Sequence, residues 1–502
     1  MNLLFVIHNW IDHAPYGGTE IHVLAITQAL TQINKHLVYV LFPDVKIASE
    51  CNNYLLLNIK DKTVIQVNLT YPVSADCYSH QELSSLFESL IIQYKIDIVH
   101  FFHLLRFPLN LPLIALKAGA KTVVSFFDYY LICRQFNFLK KDNSFCGYPN
   151  ITIQTCDLCL KQHFNSQAGT QYARRNFISQ VLYHVDAVHY LCQDQYQRIN
   201  IAYRHLQNKT SIIMGLGIGA PLNSDFSKEN ILERLNEYVL PLKVACVGNF
   251  DTNKGAQLII QVIDYYQSIQ QNIEFHIYGD VREPYSNILS EMANKNLKSL
   301  KLYGQYTPQD LPKLLQHCHV ALFASTWPET FVLALSEVWS CGLIPVAPDI
   351  GAFRERIAHG RNGFLYNLKD CGSLITVLDS FLKMSARDFQ NLLQGVNRVR
   401  YPLLESNINQ YLSLYESLLQ KPTNLNTVEL ISRVQIEHHV RAYLEIQPSE
   451  IQLSEIQQSN EAQLPVVPTP ENSHLLYKAW QYYKRSGLLS TIKRSIKYTW
   501  QR

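Results

Sequence analysis

The chain has 502 residues, 47% hydrophobic and 17% charged, which is ordinary for a folded globular protein. Those values exclude a wholly disordered chain, a collagen-like fibre and a small disulfide scaffold, and the length allows two or three domains. Lys and Arg number 44 against 41 Asp and Glu, a net charge of +3. This argues against nucleic acid as the main partner, because a phosphate-tracking surface skews a whole domain basic.

Residues 3–8 form the first apolar run. It has no basic start, and His8, Asn9 and Asp12 cut it short, so it reads as a buried strand rather than an export signal. Gly17-Gly18-Thr19-Glu20 follows, then a helical pattern through Ile21, Leu24, Ala25 and Ala29. Further strands are expected at 37–42, 96–102, 122–127 and 187–192. Their continuous apolar character suggests burial on both faces, hence a parallel sheet wound with helices. The pattern restarts with strands at 243–247, 275–278, 320–323 and 343–346 and a helix from Gly255. Two α/β halves joined near residues 215–240 account for it. Gly215, Gly217, Gly219 and Pro221 punctuate that connector. No stretch reaches about 18 apolar residues, so no membrane-spanning helix is expected.

Past Lys421 the character changes. Residues 445–472 are rich in Gln, Ser, Glu and Pro, as in a flexible linker. Within 478–502, Leu488, Leu489, Ile492, Ile496 and Trp500 share one helical side and Lys493, Arg494 and Lys497 the other. Such a basic amphipathic segment suits an anionic membrane surface.

Three places carry the spacing of a ligand site. Gly17 and Gly18 let backbone approach a ligand where a helix begins, although the dinucleotide fingerprint is absent. The turn 247–255, with Asn249 and Lys254, lies at the carboxyl end of a strand, where open α/β sheets bind ligands. Glu329 and Glu337 stand eight positions apart, just over two helical turns, so they can line one side of a cleft at different depths. The amides of Thr330, Phe331 and Val332 open that helix and suit a diphosphate.

These segments, with Tyr278-Gly279-Asp280, 349–357 and 360–365, resemble the family-4 retaining glycosyltransferases over about residues 1–420. The resemblance implies a GT-B fold, two Rossmann-like domains facing a cleft. It implies an acceptor domain at 1–220, with a cysteine-containing insert at 129–165, and a nucleotide-sugar domain at 221–404. A helix at 405–420 would cross back to the first domain, followed by a partly flexible linker at 421–477 and the basic segment. It also implies roles. Glu337 would hold the donor ribose and Glu329 would sit near the sugar hydroxyls. Lys254 would stabilise the departing diphosphate, and Gly17 and Gly18 would let it approach the first domain. No metal is required for that chemistry, and Glu329 is not assigned as a covalent nucleophile.

Two residues depart from the pattern. Asn249 stands where relatives commonly carry Arg, and Phe127 where they carry a sugar-contacting His before Asp128. His100 or His103 would have to compensate; His100 and Asp128 are taken as substrate contacts. These departures keep a non-catalytic or partner-dependent homologue open, alongside a nucleotide-sugar epimerase and a membrane-surface scaffold.

The eleven cysteines read mainly as reduced cytosolic thiols. Cys156 and Cys159 form a C-x-x-C, and with Cys133 and Cys146 they are a candidate structural zinc site. An insert of this kind resembles one branch of the same family. The expectation is a cytoplasmic retaining glycosyltransferase, peripheral at the inner face of the membrane. It would use a nucleotide-sugar donor, UDP favoured over GDP, and a growing glycan or lipid-linked glycan as acceptor.

Overall fold

A computed structural model describes residues 1–11, 17–33, 36–44, 51–74, 76–219, 240–295 and 299–422. The linker and the basic segment at 478–502 lie outside the described residues.

The first half builds one eight-stranded sheet from β1 (Asn2–Val6), β2 (Leu37–Pro43), β3 (Cys51–Asn58), β4 (Val64–Val73), β5 (Ile98–Phe101), β6 (Lys121–Phe126), β7 (Ala187–Tyr190) and β8 (Thr210–Ile213). Its order is β4-β3-β2-β1-β5-β6-β7-β8. β1, β2 and β5 to β8 run parallel. The apolar runs named from the sequence form its centre, and β5, β6 and β7 are buried at every position. That is the burial expected of strands covered on both faces.

The sequence reading did not foresee β3 and β4, which add an antiparallel edge to a sheet expected to be parallel. β4 exposes Gln66, Asn68 and Thr70 and buries Val67 and Leu69 between them. This half-solvated alternation suits an edge.

The second half forms a six-stranded parallel sheet from β9 (Leu242–Val247), β10 (Ile273–Tyr278), β11 (Leu300–Gly304), β12 (Val320–Leu322), β13 (Ile344–Pro348) and β14 (Phe364–Tyr366). Its order is β11-β10-β9-β12-β13-β14. The reversal falls between β9 and β12, so the switch-point crevice opens at their carboxyl ends, where both glutamate- and lysine-bearing loops emerge.

Helix Leu404–Leu419 belongs to the first domain's core. Its Tyr411, Leu414, Tyr415 and Leu418 bury against Phe5, Val23 and Ile26. Asn407, fully buried, ties this helix to the connector between the halves. Its Oδ1 accepts from Gly217 N–H, and its Nδ2 donates to Gly215 C=O at 3.0 Å. Asn407→Ala leaves two backbone groups unpaired, so a loss of about 2 kcal/mol or more is expected. It should read as a lowered melting temperature with an unchanged circular dichroism spectrum. An unchanged melting temperature would show that water replaces the amide.

Candidate active site at the interdomain cleft

Lys254 ends a short 3-10 turn after β9, capped by Asp251, whose carboxylate accepts from Lys254 N–H at 3.1 Å. Gly255 then takes φ +74° against the end of β12. A Cβ there would lie 1.9 Å from the Ala324 carbonyl oxygen, so only glycine lets the turn close this tightly. The closure sets Lys254 opposite the loop after β12. Its Nζ meets Glu329 Oε1 at 2.5 Å, and Ser325 Oγ donates to the same oxygen at 2.6 Å. The Glu329 side chain is 6% exposed and that of Lys254 41%. The acid is therefore sealed in the protein, while the cation stands in the cleft, 5.7 Å from the centre of the Trp327 ring.

Helix Leu333–Ser340 begins beyond Thr330 and Phe331. Its N-cap, Val332, has φ +64°. That is strained for a β-branched residue and costs about 1–3 kcal/mol. Arg356 holds the turn. One of its nitrogens donates to the carbonyls of Phe331 at 2.6 Å and Val332 at 3.0 Å, and another donates to Ser336 Oγ at 2.5 Å. The guanidinium also lies 3.9 Å over the Phe331 ring. Enclosure lowers its pKa to about 9, which still leaves it charged at neutral pH.

The first domain comes close. A Cβ on Gly18 would lie 3.9 Å from Leu333 Cβ. Thr330 Oγ1 donates to the Phe127 carbonyl at 2.8 Å, and Asn137 Nδ2 to Asn253 Oδ1 at 3.3 Å. Gly17, Gly18, Lys254, Glu329, Thr330, Phe331 and Val332 thus gather around one cleft. Glu337 is the fifth residue of helix Leu333–Ser340, about one turn in, whereas Glu329 precedes the helix, so the eight-residue spacing is not two turns of one helix as expected. The Glu337 carboxylate has no hydrogen bond or ion pair among the described residues, and burial raises its pKa to about 7. Asn249 sits half-buried in the turn after Gly248, likewise without a side-chain partner among the described residues. No cation stands at that position.

His100 is a correction. It is fully buried, with Nδ1 on Tyr415 Oη at 2.6 Å and Nε2 on Ser125 Oγ at 2.6 Å, and it stacks on Phe102. Both nitrogens are committed to the core, so it cannot touch substrate. Phe127 also turns its ring inward, against Phe102 and His22. The polar group beside Asp128 is His103, whose Nε2 lies 2.9 Å from Asp128 Oδ2. His103 is 4.2 Å, ring to ring, from His8, which meets Glu20 at 3.2 Å. Glu20 in turn accepts from Gly17 N–H at 2.9 Å. Burial lowers the pKa of His8 and raises that of Glu20. The first-domain side therefore carries a chain of Gly17, Glu20, His8, His103 and Asp128. The sequence reading missed the parts played by Glu20 and His8, although Glu20 lay within the Gly-Gly-Thr-Glu motif. It also missed Ser325 and Arg356.

The four insert cysteines are neighbours. Cys156 and Cys159 share helix Ile153–Phe164. Burial raises the thiol of Cys133 to about 12 and those of Cys146 and Cys159 to about 11, and the proximity of the other thiols adds to each shift. No disulfide joins them. Tetrahedral zinc would hold the sulfurs about 3.8 Å apart. Among the described residues none of the four belongs to a trio of donor atoms mutually within 4.8 Å. The thiols are gathered, but no three of them form a group at that spacing. No helix among the described residues is long and apolar enough to cross a membrane.

Residues 227–392 match the family Glycosyl transferases group 1. An uncharacterized glycosyltransferase of Bacillus subtilis (strain 168), YqgM, is 26% identical over 206 residues, 40% of this chain and 55% of that protein. The chain thus spans about half the length of the curated relative it matches. Among solved structures, Anabaena Alr3699/HepE in complex with UDP and glucose is 16% identical and superposes with a TM-score of 0.54, covering 83% of this chain and 99% of that one. Sucrose-phosphate synthase from Thermosynechococcus elongatus is 13% identical with a TM-score of 0.55, over 84% and 99%. The catalytic domain of starch synthase IV from Arabidopsis thaliana, bound to ADP and acarbose, is 15% identical with a TM-score of 0.53, over 84% and 99%. The fold shared with these structures is GT-B, two Rossmann-like domains.

Proposed function

We propose that the protein is a retaining glycosyltransferase. It moves a sugar from a nucleoside-diphosphate donor, UDP before GDP, to a growing glycan in surface polysaccharide or lipid-linked glycan synthesis. The observation that carries this reading is the cleft-facing Lys254 ammonium, held 2.5 Å from buried Glu329. The loop that carries Glu329 leads into the helix Leu333–Ser340, where Glu337, one turn in, has no side-chain hydrogen bond or ion pair among the described residues. The cation suits a diphosphate that gains charge as it departs, and preorganised donors of that kind supply much of a transferase's rate. Glu337 offers an acceptor for ribose hydroxyls. In the proposed step the acceptor oxygen forms its bond to the anomeric carbon on the face the diphosphate leaves. The acceptor proton passes to the leaving phosphate oxygen, so no protein nucleophile and no metal is used. UDP with the Anabaena protein and ADP with the starch synthase support a nucleotide donor.

A second reading, a partner-dependent subunit, draws on Asn249, which leaves the diphosphate one cation fewer. One experiment separates the two. Wild type and Glu337→Ala are given UDP-, GDP- and ADP-sugars, and binding, slow hydrolysis and product anomer are followed. Hydrolysis of one donor with retained configuration, lost in Glu337→Ala, is the expected result. Binding without turnover that a partner restores would select the second reading. A folded protein that binds none would overturn both.

A further inference from the structure

We propose that His276, His317 and Cys318 form a structural metal site for Zn²⁺, on the face of the second sheet near its β11 edge and apart from the catalytic cleft. Their donor atoms all lie within 4.8 Å of one another. His276 Nδ1 and His317 Nε2 are 3.2 Å apart. Two ligands on one tetrahedral zinc stand about 3.3–3.8 Å apart, so this pair is already at ligand spacing, and the Cys318 sulfur lies within 4.8 Å of both nitrogens. Two imidazoles and a thiolate are a donor set that zinc takes readily.

The surroundings favour a ligand role for His276. Glu274, His276 and Tyr278 alternate on β10, so they share one face of the sheet. Glu274 Oε2 lies 3.3 Å from His276 Nε2, and Lys301 Nζ donates to the same carboxylate oxygen at 3.1 Å. A carboxylate on the far nitrogen keeps the proton there and leaves Nδ1 with its lone pair toward the other two ligands. This is the usual support of a metal-bound histidine. Tyr303 Oη also contacts Nδ1, at 3.0 Å, and must swing aside or remain as a neighbour of the ion. Tyr278 Oη, 3.3 Å from His317 Nε2 and 3.8 Å from Cys318 Sγ, marks the fourth position, for itself or for water. His276 and Cys318 are buried while His317 is partly open, which gives an ion a way in. Bound zinc would pin the turn before β12 to β10.

The test uses the full chain, reduced and stripped with EDTA, titrated with Co²⁺ and then Zn²⁺. Expected is one equivalent of cobalt with a thiolate-to-cobalt charge-transfer band, displaced by zinc. Cys318→Ser should abolish the band, and Glu274→Gln should weaken affinity about 10–100-fold at unchanged stoichiometry. The double variant Cys156→Ser/Cys159→Ser should keep the band. A band that survives Cys318→Ser, or is lost only in the double variant, assigns the metal to the insert cysteines and overturns the proposal. So does the absence of any bound equivalent. If Cys318→Ser does not fold, His317→Gln and Glu274→Gln decide: cobalt affinity unchanged in both overturns the site.

Discussion

Lys254→Ala is expected to lower kcat about 10²–10³-fold, with a smaller change in KM. The reason is where charge appears. In the proposed reaction negative charge grows on the departing diphosphate, and Lys254 is the cation that the turn after β9 holds in the cleft. Its partner Glu329 is sealed behind it and accepts from Ser325 as well, so the ammonium is held in place before a donor arrives. An interaction made stronger in the transition state shows in kcat, whereas uniform binding shows in KM alone. Donor hydrolysis and transfer, each measured over a range of donor concentrations, separate the two. A raised KM with kcat unchanged would remove Lys254 from the chemistry and leave it a binding contact. The variant also strands a buried carboxylate, so its melting temperature belongs beside the kinetics. Lys254→Arg keeps charge near Glu329 but changes its geometry, and should recover part of the rate.

The parts of this site that the sequence exposed are those fixed by local spacing. Strand-ending turns, the two glycines and the acid that pairs with Lys254 all depend on a few consecutive residues. The eight-residue spacing of Glu329 and Glu337, by contrast, does not span two turns of one helix, because the helix begins at Leu333. The central strands were legible for a similar reason: runs such as residues 122–127 are apolar on both faces. β3 was not, because Asn52, Asn53 and Asn58 dilute it. β4 escaped because its polar face looks like a loop. His100 and His103 show a harder limit. Three residues apart at one strand end, they look alike in sequence. Helix Leu404–Leu419, more than 300 residues away, claims His100 through Tyr415, and Asp128 meets His103. Arg356 was hidden because its partners are carbonyls freed by the unusual backbone of Val332, and no pattern of side chains announces that. His276 and His317 lie 41 positions apart and meet only through the arrangement of the sheet.

Glu337 should make donor binding depend on pH in a definite direction. Burial raises its pKa from the usual carboxyl value to about 7. The folded protein therefore holds an extra proton between the unfolded value and about 7, and this group's contribution to stability falls as pH rises across that window. Donor binding runs the other way. In the role proposed for Glu337, ribose hydroxyls donate to the ionised carboxylate, so a donor would select the deprotonated form and release a proton when it binds. Between pH about 6 and about 8 the ionised fraction rises about tenfold, and affinity should rise with it. The probe is an intact nucleotide sugar, whose diphosphate is esterified at both ends. A free nucleotide is unsuitable because its terminal phosphate ionises near pH 6 and would mask the effect. Calorimetry in buffers of different ionisation enthalpy measures the released proton directly. Glu337→Gln should bind more weakly, release no proton and give a flat profile across the same range. An equally steep profile in Glu337→Gln would place the titrating group elsewhere, with the Glu20, His8 and His103 chain on the opposite wall the next to test.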